Sequence, residues 1–109
     1  MNAHDRRIGA VFSALADPTR RRLLGRLAEQ QSATATELAA GEPVSRQAIV
    51  KHLQSLDQAG LVRPSRAGRE VRYALSPAAL EDAAGWMETV GAQWDRRLAR
   101  LKGRLEAGK

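Results

Sequence analysis

From Leu80 to Leu105 the apolar and small residues recur at alternating steps of four and three: Leu80, Ala84, Met87, Gly91, Trp94, Leu98, Leu101 and Leu105. A strand needs a period of two, so this spacing admits a helix with one heptad seam. Ser76-Pro77 supplies a cap and a first-turn proline. Together they predict one long helix over 77–106, straight or kinked at Gly85 or Gly91. Its apolar stripe exceeds what a small domain before it can cover. The seam is therefore expected to pair with a second copy, together with the first helix, through Phe12, Leu80, Met87, Trp94, Leu98 and Leu101. The opposing reading is that Trp86, Met87 and Trp94 cover the chain's own core. Small Ala84 and Gly91 suit close helix approach better than a cofactor pocket.

Length and charge narrow the partners. A chain of 109 residues is read as one domain, 1–109, whose modest core gains from dimerisation. The formal charge of +6 comes mostly from arginine, which points to a polyanion such as nucleic acid or an acidic membrane. Aromatic residues make up only 4% of the chain, which disfavours binding single strands by stacking bases on rings. The absence of cysteine excludes disulfides, thiolate metal sites and thiol redox sensing. No stretch resembles a signal peptide or reaches membrane-spanning length, so a cytoplasmic, nucleoid-associated protein is expected.

Ahead of the seam, residues 1–5 read as a loose start, and Ile8, Val11, Phe12 and Leu15 then form a short amphipathic helix. Asp17-Pro18 begins a second helix that runs to about Glu29 and buries Leu23, Leu24 and Leu27. Arg20, Arg21, Arg22 and Arg26 on it either solubilise the chain or, in part, reach flanking phosphates. Residues 30–33 are expected to be a connector. Thr34-Ala35-Thr36-Glu37 has the capping-box form and opens a short third helix ending at Gly41.

After the turn Glu42-Pro43-Val44, Ser45 caps a helix over 45–59 that has two unlike faces. Ile49, Leu53 and Leu56 make the inward stripe, while Gln47, Lys51 and Gln54 point the other way with Ala48 beside them. Amides pair with adenine edges, lysine with guanine or phosphate, and alanine with a thymine methyl, so this outer face suits a DNA major groove. An ordinary solvated face is the bland alternative. Helix, tight turn and second helix with a polar outer face form a helix-turn-helix.

Gly60 closes that helix, and the period then changes to two. Leu61–Ser65 and Arg69–Leu75 are predicted strands joined by Ala67-Gly68, a hairpin spanning 61–75 with Arg63, Arg66, Arg69 and Arg72 against one acid, Glu70. Directly after such a helix, a basic hairpin is a wing, able to rest on the DNA backbone or enter the minor groove. The expected fold is mainly α with a β-hairpin wing, a winged helix-turn-helix in the order α-α-α-α-β-β-α with a long C-terminal dimerisation helix.

The ordered combination Ala14-Leu15-Ala16-Asp17-Pro18-Thr19-Arg20, Glu37-Leu38-Ala39, Ser45 through Leu56, Ala59-Gly60-Leu61-Val62 and Val71-Arg72-Tyr73 resembles the ArsR/SmtB family of bacterial winged-helix repressors over roughly residues 8–80. The resemblance implies a symmetric homodimer on a partly palindromic operator, with 45–59 as recognition helix and 61–75 as wing. Metal-responsive members carry a cysteine pair near the third helix or a His/Asp set on the last. Here Thr36-Glu37-Leu38-Ala39-Ala40 holds no thiol, and Glu81, Asp82 and Glu88 have no histidine beside them. Bare carboxylates make a poor transition-metal site. The tail Trp94-Asp95-Arg96-Arg97-Leu98 is similar to a metal-free branch of the family, with no metal or cofactor expected and the inducing ligand unknown.

The expected interface uses Gln47, Ala48 and Lys51 on base edges, Ser45, Arg46 and His52 on phosphates, and Arg66, Arg69 and Arg72 in the wing. The partner is double-stranded DNA. A protein-interaction module using the same basic face is the rival. An enzyme ranks far below, because no nucleophile–base set or phosphate-binding glycine loop is present. A membrane-surface protein would carry its charge along one amphipathic helix, which this chain does not.

Overall fold

The computed structural model describes residues 2–108. In order it contains α1 (Ala3–Leu15), α2 (Pro18–Glu29), β1 (Ala33–Thr34), α3 (Ala35–Ala39), α4 (Arg46–Gln58), β2 (Val62–Ala67), β3 (Glu70–Leu75) and α5 (Pro77–Ala107). The fold is the mainly helical winged helix-turn-helix expected, with one strand more. Residues 30–33 are not wholly a connector: Ala33 and Thr34 pair antiparallel with Tyr73 and Arg72, so β3 becomes the middle strand of three. Two residues carry no readable period, which is why the strand escapes sequence reading.

The start of the chain differs too. The expected loose segment is helical from Ala3, because Asn2 Oδ1 accepts from the Asp5 N–H at 2.8 Å and caps α1. Met1 lies outside the described residues.

Most caps are local, and several match the sequence signals. Asp17 Oδ2 accepts from the Arg20 N–H at 3.0 Å. Thr34 and Glu37 complete a reciprocal capping box, each side chain taking the other's backbone N–H at 3.1 Å. Ser45 Oγ accepts from the Ala48 N–H. Ser76 is the exception: it occupies the cap position of α5, but its hydroxyl caps nothing and its N–H donates to Leu61 O at 2.9 Å. At the far end of α4, Gly60 has φ +77. The Leu61 N–H reaches Leu56 O and the Gly60 N–H reaches Asp57 O, both at 2.9 Å, which is a Schellman closure.

The core is a single cluster in which Leu23, Leu27, Leu38, Ile49, Leu53, Leu56 and Leu61 are fully buried. The arginines of α2 hold other elements to it. Arg20 donates to Ala14 O and Arg21 to Leu15 O, covering carbonyls that α1 leaves open at its end. Arg26 does the same for α3, donating to Leu38 O at 2.6 Å and to Glu37 O. These side chains are neither idle solubilising charge nor free cations.

The helix α5 leaves the domain. Its 31 residues extend about 46 Å at 1.5 Å per residue. Only Ala83 on it is buried, while Ala79 and Leu80 pack partly against the core. Leu80 therefore serves its own domain first, and Ala84, placed in the seam by the heptad count, is exposed. Beyond Ala83 the apolar row stands in the open, with Met87, Trp94, Leu98, Leu101 and Leu105 each at least half exposed. Trp86 makes an edge contact with Phe12 of α1, ring centroids 5.6 Å apart, and both rings stay partly uncovered. The opposing reading, in which the tryptophans cover the core, is not what the structure holds. The radius of gyration of 19.1 Å, against about 13 Å for a compact chain of this length, reflects the projecting helix.

Candidate nucleic-acid interface

Opposite phases of one helix separate packing from presentation. On α4, Ile49, Leu53 and Leu56 are fully buried, and Gln47, Lys51 and Gln54 are exposed, with Ala48 half-buried. The helix is held from three sides. Ahead of it, Arg22 Nε pairs with Glu42 Oε1 at 2.9 Å, and the Glu42 carboxylate is only 5% exposed. This ion pair ties the turn before α4 to α2, and no local signal in the sequence announces it. Arg46 Nε donates to Thr36 Oγ1 at 3.0 Å, bridging α3 and α4. Behind, His52 Nδ1 accepts from Arg20 Nε at 3.3 Å and lies 3.9 Å from Asp17 Oδ2.

These contacts leave particular donors for a ligand. The Ser45 hydroxyl uses an acceptor site on Ala48 and keeps its O–H to donate. Arg46 spends its Nε on Thr36 and keeps its terminal nitrogens. His52 meets Arg20 through Nδ1 and keeps Nε2 for a ligand. It is half-buried between α4 and the start of α2.

The hairpin closes one residue later than the spacing suggests. Ala67 pairs with Glu70, so Gly68 and Arg69, and not Ala67 and Gly68, form the two-residue loop. Gly68 has φ +63 at the first central position, where a type II′ hairpin requires a glycine. The strands accordingly begin at Val62 and Glu70 and not at Leu61 and Arg69.

Arg63, Arg66 and Arg69 are exposed. Arg66 pairs with Val71 and shares its face of the sheet. Arg72 is engaged elsewhere: Nε donates to Ser32 Oγ at 2.8 Å, Nη2 to Ser32 O, and Nη1 meets Glu37 Oε1 at 3.1 Å and Glu70 Oε2 at 3.4 Å. It brackets β3 to β1 and α3. Between α3, α4 and the wing lies a cleft of about 510 Å³, with Arg46 on one wall, Arg69 on another, and Val50 and Tyr73 between them.

Two carboxylates behind this surface titrate low. The Arg20 N–H, followed by the nearby His52 and Arg20 side chains, holds Asp17 below its ordinary range. The Thr34 backbone and side chain, followed by Arg72, do the same for Glu37. A carboxylate that ionises more readily folded than unfolded adds stability above its unfolded value and loses it as pH falls through the folded one. The Asp17→Asn, Glu37→Gln double variant is therefore expected to lose less stability than the parent between about pH 5 and pH 3 in urea titrations. Parallel acid losses in the two proteins would disprove this.

Among the described residues no three His, Asp or Glu side chains gather closely enough to hold a metal ion. None of the described helices is long and apolar enough to cross a membrane.

A buried-backed helix after a tight turn, followed by a basic three-stranded wing, defines a winged helix-turn-helix protein. A helix-turn-helix domain family matches residues 15–64. The transcriptional repressor SdpR of Bacillus subtilis is 36% identical over 77 residues, 71% of this chain and 84% of that protein. An ArsR-like transcriptional regulator from Rhodococcus sp. RHA1 superposes with a TM-score of 0.80 at 45% identity, covering 89% of this chain and 91% of the other. The homodimeric winged helix-turn-helix DNA-binding domain Mb0332 from Mycobacterium bovis superposes at 0.63 with 26% identity, covering 85% and 82%. The chain belongs to the ArsR/SmtB family of transcriptional regulators, DNA-binding proteins and not enzymes.

Proposed function

We propose that this protein is a nucleoid-associated homodimeric repressor that reads a partly palindromic operator with two copies of α4. Gln47, Ala48 and Lys51 face base edges in the major groove. Ser45, Arg46 and His52 hold phosphates at its rims, and Arg66 and Arg69 anchor the wing. Arg72 is assigned to bracing the wing, because its guanidinium is already divided among Ser32, Glu37 and Glu70. The observation that carries the reading is the exposed amide-and-cation face of α4, backed by fully buried Ile49, Leu53 and Leu56.

The exposed row of α5 supports pairing, as does the similarity to the Mycobacterium bovis domain, which is homodimeric. The Bacillus subtilis relative, named a repressor, supports the sign of regulation. Two half-sites then lie about one helical turn, roughly 34 Å, apart or a near multiple of it. A signal would act by changing the tilt between the two copies of α4.

Selection of bound sequences from random duplex DNA tests this. A palindromic consensus is expected; salt-sensitive binding without a consensus would instead mark an adaptor that uses its basic face on an acidic partner. Arg69→Ala should weaken binding to every sequence and reduce the log–log salt slope by about one unit per wing. An unchanged slope in a salt titration removes the wing tip from the contact set.

A further inference from the structure

Across α1 from the exposed rings is a second cleft, of about 420 Å³. Ala10 and Val11 of α1, Ala59 at the close of α4, and Ala79 in the first turn of α5 give it apolar walls. Its polar lining is Arg6 and Arg7 from α1, Gln58 from α4 and Asp82 from α5. The volume falls within the range of small-molecule sites, which combine apolar walls with a few polar groups.

The position of the cleft separates it from the pairing surface. At 100° per residue, Arg6, Arg7 and Ala10 lie about 120–160° around α1 from Phe12. Its α5 residues come from the first two turns, ahead of the exposed row that begins at Met87. Pairing confined to that row would leave the cleft open. The same cleft touches the end of α4, where the Leu61 N–H is tied to Leu56 O and Leu61 O accepts from the Ser76 N–H. A molecule lodged there would press at once on the presenting helix and on both helices of the pairing surface.

We propose that this cleft binds a small monoanionic amphiphile, an organic carboxylate with a short apolar body. The carboxylate meets Arg6 and Arg7, and the body lies on the alanine-lined walls. Two cations against the single carboxylate of Asp82 leave room for one negative charge, and Asp82 repels a second. The regulatory consequence, altered spacing of the two copies of α4, rests on the DNA reading above. The binding itself does not.

The test uses octanoate as probe on the full chain without DNA, followed by amide chemical shifts. Saturable binding in the millimolar range suits a ligand of this size. Octanol and the dianion octanedioate should each bind at least tenfold more weakly. The Arg6→Gln, Arg7→Gln double variant should lose octanoate about tenfold while its circular dichroism stays unchanged. Ala78→Leu, at an exposed helical position lining the cleft, should block octanoate by filling the space. Octanol binding as well as octanoate, octanoate affinity unmoved by these variants, or no saturable octanoate binding would each overturn the proposal. Because DNA is absent, failure of the operator selection does not alter any of these outcomes.

Discussion

Trp94→Ala should convert the protein to a monomer at concentrations where the parent chain is paired, and weaken operator binding with it. Trp94 is 54% exposed, and Arg97 lies over its ring at 5.6 Å to the centroid. In a two-fold pair the remaining ring surface is buried twice, once from each copy. At about 25 cal/mol per Å², two half-exposed indoles account for on the order of 4 kcal/mol, roughly a thousandfold in the dimer constant. Operator affinity falls in step, because one recognition helix no longer brings the second to its half-site at high effective concentration. Sedimentation velocity and operator titration on the same preparation measure both quantities. A variant that remains dimeric, with operator affinity intact, would move the pairing surface off α5.

The second large effect divides α4 into its two faces. Leu53 is fully buried, and Leu53→Ala should cost about 3–4 kcal/mol of folding stability by lost transfer energy and a cavity. Gln47, only six positions away and exposed, should behave oppositely. Gln47→Ala should leave the urea midpoint within the ~0.5 kcal/mol typical of surface changes. It should relax base preference at one operator position per half-site, costing about 1–3 kcal/mol there. Equal losses on operator and random DNA would show that Gln47 does not read bases. The pair of variants separates a residue that holds the helix from one that uses it.

Much of this architecture is visible in the order of residues because its causes are short-ranged. Asp17-Pro18, the Thr34–Glu37 box and Ser45 act within three or four positions, and each cap except that of Ser76 forms where the sequence places it. The inward stripe Ile49, Leu53 and Leu56 follows from helical period alone, so the outward face follows too. The hairpin loop was legible only to within one residue, because the choice between neighbouring registers depends on where Gly68 must sit to allow φ +63.

By itself the order of residues determined the number and phase of the helices, the basic hairpin after them and the long heptad row, since each depends on contacts within a turn or two. Only the tertiary structure decided the destinations of the charges. Arg22 meets Glu42 across 20 positions, Arg72 meets Ser32 across 40, and Arg26 closes the end of a helix it does not belong to. The physical reason is reach: a guanidinium takes whichever carboxylate or open carbonyl folding brings beside it, and local spacing carries no record of that neighbour.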